Sequence, residues 1–117
     1  IINSSVTGNS SNGVGGLIGY TKNGFNVTVH DIILDQVSVT NQNKASGLLI
    51  GRTNNGSTLG NMSISNIYII NSDVTATESV GGIYGDVSGL INLSIEKVVM
   101  DVQLNGSKNI AGIIGLN

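Results

Sequence analysis

The stretch FNVTVHDIILDQVSVT, residues 25–40, carries apolar side chains in pairs: Val27 and Val29, Ile32 and Leu34, Val37 and Val39. Members of a pair stand two residues apart, the strand period that sends both side chains to one face. Each pair starts five residues after the previous one. The extra residue between pairs turns the chain, so that the next pair also points inward. An amphipathic helix would instead need steps of three and four residues sustained over several turns. The pattern recurs at Met62, Ile64, Ile67 and Ile69, and again at Leu93, Ile95, Val98 and Met100.

A second phrase lies between these stretches. It reads VGGLIG at 14–19, ASGLLIG at 45–51, VGGIYG at 80–85 and IAGIIG at 110–115. Taking Gly16, Gly47, Gly82 and Gly112 as equivalent gives spacings of 31, 35 and 30 residues (47−16, 82−47, 112−82), with the polar insertion 51–60 accounting for the longest. The chain opens inside a further copy at residues 1–7. Repeats of this length, built from short strands with a shared inward pattern, predict a parallel β-solenoid. The expected fold is all-β, a single domain over residues 1–117, with about four coils of three short faces each. Equivalent residues of adjacent coils would stack roughly 4.8 Å apart, giving the internal ranks Val27, Met62, Leu93 and Val29, Ile64, Ile95. Turns are expected at Lys22-Asn23-Gly24, Asn54-Asn55-Gly56 and Asn105-Gly106, where Asn and Gly accept positive φ. An antiparallel β-sandwich is the alternative, since alternating strands and Asn-Gly turns suit it as well.

Composition agrees and excludes several function classes. Ile, Val and Leu number 16, 12 and 9, while aromatic residues make up 3% of the chain. A core rich in β-branched residues favours strands. Without Cys there is neither a disulfide framework nor a thiolate zinc site. A net charge of −2 with five basic residues is poorly suited to nucleic acid. No apolar run approaches the roughly 18 residues of a membrane-spanning helix. The first residues, Ile1-Ile2-Asn3, carry no signal-peptide pattern.

The glycine phrase resembles the GLUG motif, a Gly-Leu-any-Gly repeat that occurs in tandem in extracellular proteins, including bacterial adhesins and regions accompanying IgA-cleaving proteases. Gly16-Leu17-Ile18-Gly19 matches it directly. Gly82-Ile83-Tyr84-Gly85 and Gly112-Ile113-Ile114-Gly115 match with Ile for Leu. The second copy, Gly47-Leu48-Leu49-Ile50-Gly51, carries one extra apolar residue. The resemblance covers essentially the whole chain. It implies an extracellular or cell-surface repeat region and no catalytic residues.

Asn26, Asn61 and Asn92 each head an N-x-[ST] sequon at the same repeat position, followed by Thr28, Ser63 and Ser94. One reading is a stacked amide ladder; the other is N-glycosylation. Glycans on adjacent rungs about 4.8 Å apart would collide, which favours the ladder. Further sequons begin at Asn3, Asn9, Asn55 and Asn105. Tyr20 and Phe25 lie close in one copy and are the expected aromatic contacts for a glycan. His30, the only His, shares its repeat position with Ser65 and Glu96, which suggests a solvated site and not a catalytic triad. Asp35 and Asp101 fall near one corner two coils apart, roughly 10 Å, wide even for an inverting glycosidase pair. The single Arg, Arg52, falls in the insertion. No metal or cofactor is expected.

These features favour a structural or adhesive segment over a glycan-binding module or a fragment of a polysaccharide-active enzyme. The chain starts and stops in mid-coil with no polar cap. Further copies, flanking repeats or a partner chain are therefore expected against residues 1–6 and 110–116, with host or matrix glycans or proteins as other partners.

Overall fold

The computed structural model describes residues 1–54, 56, 58–89 and 91–116. All of its regular elements are strands. They form three parallel sheets of four strands each, with no antiparallel pairing among the described residues. The first sheet holds β1 (Ile2–Gly8), β4 (Asn26–Asn41), β7 (Gly60–Ala76) and β10 (Ile91–Asn105). The second holds β2 (Val14–Gly15), β5 (Ala45–Gly47), β8 (Ser79–Gly81) and β11 (Asn109–Ala111). The third holds β3 (Ile18–Lys22), β6 (Ile50–Asn54), β9 (Tyr84–Ser88) and β12 (Ile114–Leu116). Each coil contributes one long strand and two short ones, and the whole is a β-solenoid. It makes about three turns, not four, because four rungs are separated by only three turns.

The long strands explain the paired pattern. Val29, Ile64 and Ile95 stand in one register, as do Val27, Met62 and Leu93. Between pairs, Asp31, Asn66 and Lys97 occupy one corner with φ of 57°, 55° and 53°. Asn3, Gln36 and Asn71 occupy the next with φ of 48°, 56° and 50°. A left-handed residue breaks the strict alternation, so both flanking pairs face inward. In β10 the second corner loses a residue, because the register steps from Met100↔Ile69 directly to Val102↔Ser72. That deletion shortens the last repeat.

The interior is a dry apolar stack. Leu34, Val39, Leu49, Ile64, Ile69, Val74 and Ile83 have no exposed surface. Tyr84 is also fully buried, and its hydroxyl hydrogen-bonds to Thr53, which in turn meets Thr21. Burial pushes the Tyr84 phenol above its ordinary value, only partly countered by these hydroxyls.

Two expectations about spacing need correction. The strand pairing sets Gly47 beside Gly15 and Gly81, with Ala111 following, and not beside Gly16 and Gly82. Gly16 instead lies against Leu48, whose carbonyl accepts its N–H at 3.1 Å. The second copy therefore has no extra residue. It is Ser46-Gly47-Leu48-Leu49-Ile50-Gly51, with Leu48 in place of a glycine, and the spacings become 32, 34 and 30 (47−15, 81−47, 111−81). The polar insertion is also narrower than 51–60, because β6 runs in register with β3 as far as Asn54. Three extra residues lie between there and Asn61, counted against Lys22 and Asn26 ((61−54)−(26−22)).

The glycines are spatial requirements. A Cβ on Gly47 would stand 2.3 Å from the Ile50 oxygen and 2.5 Å from the Ile83 oxygen. On Gly51 it would stand 2.5 Å from the Val14 nitrogen, and on Gly85 2.6 Å from the Ser46 carbonyl carbon. The two short sheets thus meet backbone to backbone. Of the expected turns, Asn23 and Gly24 have positive φ, 58° and 65°, as does Gly56 at 55°. Asn55, in the second turn and heading one sequon, lies outside the described residues. Gly106 is not left-handed; its missing side chain makes room for Val80, 2.8 Å from where its Cβ would be.

Candidate functional site

Asn26, Asn61 and Asn92 stack in register at the start of the long strands, and all three are exposed. Asn92 Nδ2 donates to Asn61 Oδ1 at 3.0 Å. The next outward rank, Thr28, Ser63 and Ser94, is likewise exposed. The two ranks border a groove of about 540 Å³ whose floor includes Val27, Met62 and Leu93. Equal residues at equal register allow an amide ladder, since each planar amide offers a donor and an acceptor along the stacking axis; among the described residues a hydrogen bond closes the Asn61–Asn92 step and not the Asn26–Asn61 step.

The first corner carries a short polar chain. His30 Nδ1 lies 2.7 Å from Asp31 Oδ2, and Asn66 Nδ2 donates to Asp31 Oδ1 at 3.0 Å. The His30 hydrogen bond, seconded by Asn66, holds the Asp31 carboxyl below its ordinary value. His30 is 60% exposed and Asp31 67%, so solvent screens the pair. His30, Ser65 and Glu96 share one rank, as the repeat predicted. At the second corner Asn71 Nδ2 donates to Asp35 Oδ1 at 3.1 Å. Asp35 lies opposite Ile70, while Asp101 falls in the register shift between Met100 and Val102 and has no strand partner in β7. Asp101 borders a separate groove of about 250 Å³ with Asn71, Asp73 and Gln103. No group of three potential metal ligands occurs among the described residues.

Tyr20 and Phe25 stand in different settings. Phe25 is half-buried against the core, and its carbonyl accepts the Asn61 N–H at 2.8 Å. Tyr20 is half-buried on β3, in rank with Arg52 and Asp86. Arg52 therefore belongs to β6 and not to the insertion. Its Nε stands 2.9 Å from Asp86 Oδ2 as an ionic contact, not a directed hydrogen bond, and Nη1 donates to the Ser11 carbonyl at 3.2 Å.

Sequence reasoning missed Asn41, which is 1% exposed and has partners at every side-chain donor and acceptor. Its Nδ2 donates to the Ser10 and Ala45 carbonyls at 2.9 and 3.0 Å. Its Oδ1 accepts from the Ser10 and Asn43 amides at 3.1 and 3.0 Å. An Asn at the end of an apolar-paired strand was the available signal. The partners, 31 residues away in one case, were not legible.

No protein family matches the chain, and comparison with curated proteins and with solved structures yields no match either.

Proposed function

We propose that the chain is a structural or adhesive repeat segment of a secreted or cell-surface protein, whose coils continue into further copies or flanking repeats. One observation carries this reading. Leu17, Leu49, Ile83 and Ile113 occupy the same position in successive coils. The two inner members are fully buried, while Leu17 is 44% and Ile113 42% exposed. The surface at each end is the surface that coils bury against one another. The outer strands also present unpaired backbone groups along their free edges, a template for further pairing.

The extracellular assignment rests on the GLUG resemblance and on an Asn-, Ser- and Thr-rich exterior with little charge. Fold alone carries no function, so the test is association. In sedimentation velocity across a concentration series, the chain is expected to form oligomers that disappear in the Leu17→Lys/Ile113→Lys variant. A wild-type chain that stays monomeric throughout overturns the proposal.

A further inference from the structure

Most outward ranks of the long strands are polar, and one is apolar throughout. Ile33, Tyr68 and Val99 stand in register on the short face between the two corners. They are 58%, 45% and 56% exposed. The outward ranks before the first corner carry Asn, Thr, Ser, His and Glu, and the rank after the ridge mixes Asp35 with Ile2 and Ile70. Three apolar side chains in one exposed rank form a ridge roughly 10 Å long, two strand spacings.

The borders of this ridge say what it suits. Tyr68 sits between two amide–carboxylate pairs, Asn66 with Asp31 on one corner and Asn71 with Asp35 on the other. The left-handed φ of Asp31, Asn66 and Asn71 holds them at the corners flanking the face. Each amide spends one N–H on its partner carboxylate and retains a second N–H and a carbonyl oxygen. An exposed ring between convergent donors and acceptors matches the two-sided surface of a sugar, whose C–H face stacks on aromatics while its hydroxyls hydrogen-bond at the rim. The charge balance restricts the choice. Asp31, Asp35 and Asp101 border the ridge against Lys97 and the Ile1 ammonium, which donates to the Ile33 carbonyl at 2.9 Å, so among the described residues the border stays net negative and polyanionic glycans meet repulsion.

We propose that the Ile33–Tyr68–Val99 ridge, with its two Asn–Asp pairs, binds neutral polysaccharide, with Tyr68 as the stacking platform. This surface is lateral and does not depend on what covers the ends of the solenoid.

Affinity gel electrophoresis of the full chain provides the test, in gels containing soluble β-glucan, galactomannan or, as the acidic comparison, polygalacturonate. At least one neutral polymer should retard the chain, and polygalacturonate should not. Tyr68→Thr places a β-branched residue at an exposed strand position, so the fold is retained, and the affinity should drop about tenfold or more, as expected when a stacked ring is lost. Tyr68→Phe preserves the ring and should bind within about threefold of wild type. Tyr20→Ala should migrate as wild type. Thermal melting of each variant confirms that it is folded. The proposal is overturned if neither neutral polymer retards the chain, if folded Tyr68→Thr binds as tightly as wild type, or if polygalacturonate is preferred. It is equally overturned if Tyr68→Thr abolishes a lateral dimer while carbohydrate binding is absent.

Discussion

Ile64 and Ser63 are neighbours with opposite fates. Ile64 is fully buried between Val29 and Ile95, and Ser63 faces water. Ile64→Asp places an unpaired charge in the dry stack, costing about 5 kcal/mol or more, enough to abolish folding. Ser63→Asp should leave the melting temperature within a few degrees. Circular dichroism of the two variants checks the pair; a cooperatively melting Ile64→Asp chain would contradict this register. Asn41 makes a second residue-scale case. Asn41→Ala strips partners from the Ser10 amide and the Ala45 carbonyl together, so urea unfolding should show a loss of about 2–3 kcal/mol. Tyr84 contributes a pH dependence. Its folded pKa lies above the unfolded value of 10.0. Its contribution is therefore fully present below that value and is lost as pH rises through the folded pKa, because the unfolded chain gives up the proton first. Tyr84→Phe should flatten the stability profile above pH 10 in alkaline denaturation.

At the scale of the element, the short strands owe their contact to missing side chains. Gly47 has two backbone oxygens, of Ile50 and Ile83, crowding its vacant Cβ position, whereas Gly112 has nothing within 4 Å. Gly47→Ala should destabilise by about 3 kcal/mol or more, since backbone must move, while Gly112→Ala should be neutral within about 0.5 kcal/mol. Equal losses at both positions would show that glycine matters here for chain flexibility and not for coil packing. The corner between strand segments offers the converse. Asp31 and Asn66 are residue types that tolerate left-handed geometry, but Lys97 at φ 53° is not. Lys97→Asn should raise stability by about 0.5–1 kcal/mol in chemical denaturation.

Across the whole molecule, contacts run mainly within a coil and between successive coils, so stability is approximately a sum of coil and neighbour terms. β7 is paired on both edges with long strands, whereas β10 has one partner strand and β1 pairs only part of β4. Hydrogen exchange should therefore be slowest in β7 and fastest in β1 and β12, with opening from the ends inward. The two candidate surfaces separate along the same geometry. The ends expose Leu17 and Ile113, whose counterparts in the inner coils are buried. The side exposes Tyr68 between its polar corners.

Much of this was legible in the residues themselves. Pairs two apart and five between starts specify inward-facing strand segments, and the Asn26, Asn61, Asn92 rank follows from equal residues at equal spacing, because stacking converts sequence period into spatial register. The glycine register was not legible. Leu48 in a glycine's place makes the second copy look one residue longer, and only the Gly15–Gly47–Gly81 pairing settles the alignment. The exposure of Tyr68 was hidden for a related reason. Its exposure depends on left-handed residues on either side, and its polar borders come from Asp31 and Asp35, 35 and 36 residues from the amides they meet. Local pattern determines which way a side chain points along a strand. Which side chains meet across coils, and how far each stands clear of the surface, depends on corners and insertions that add or remove single residues, and that is decided only when the coils stack.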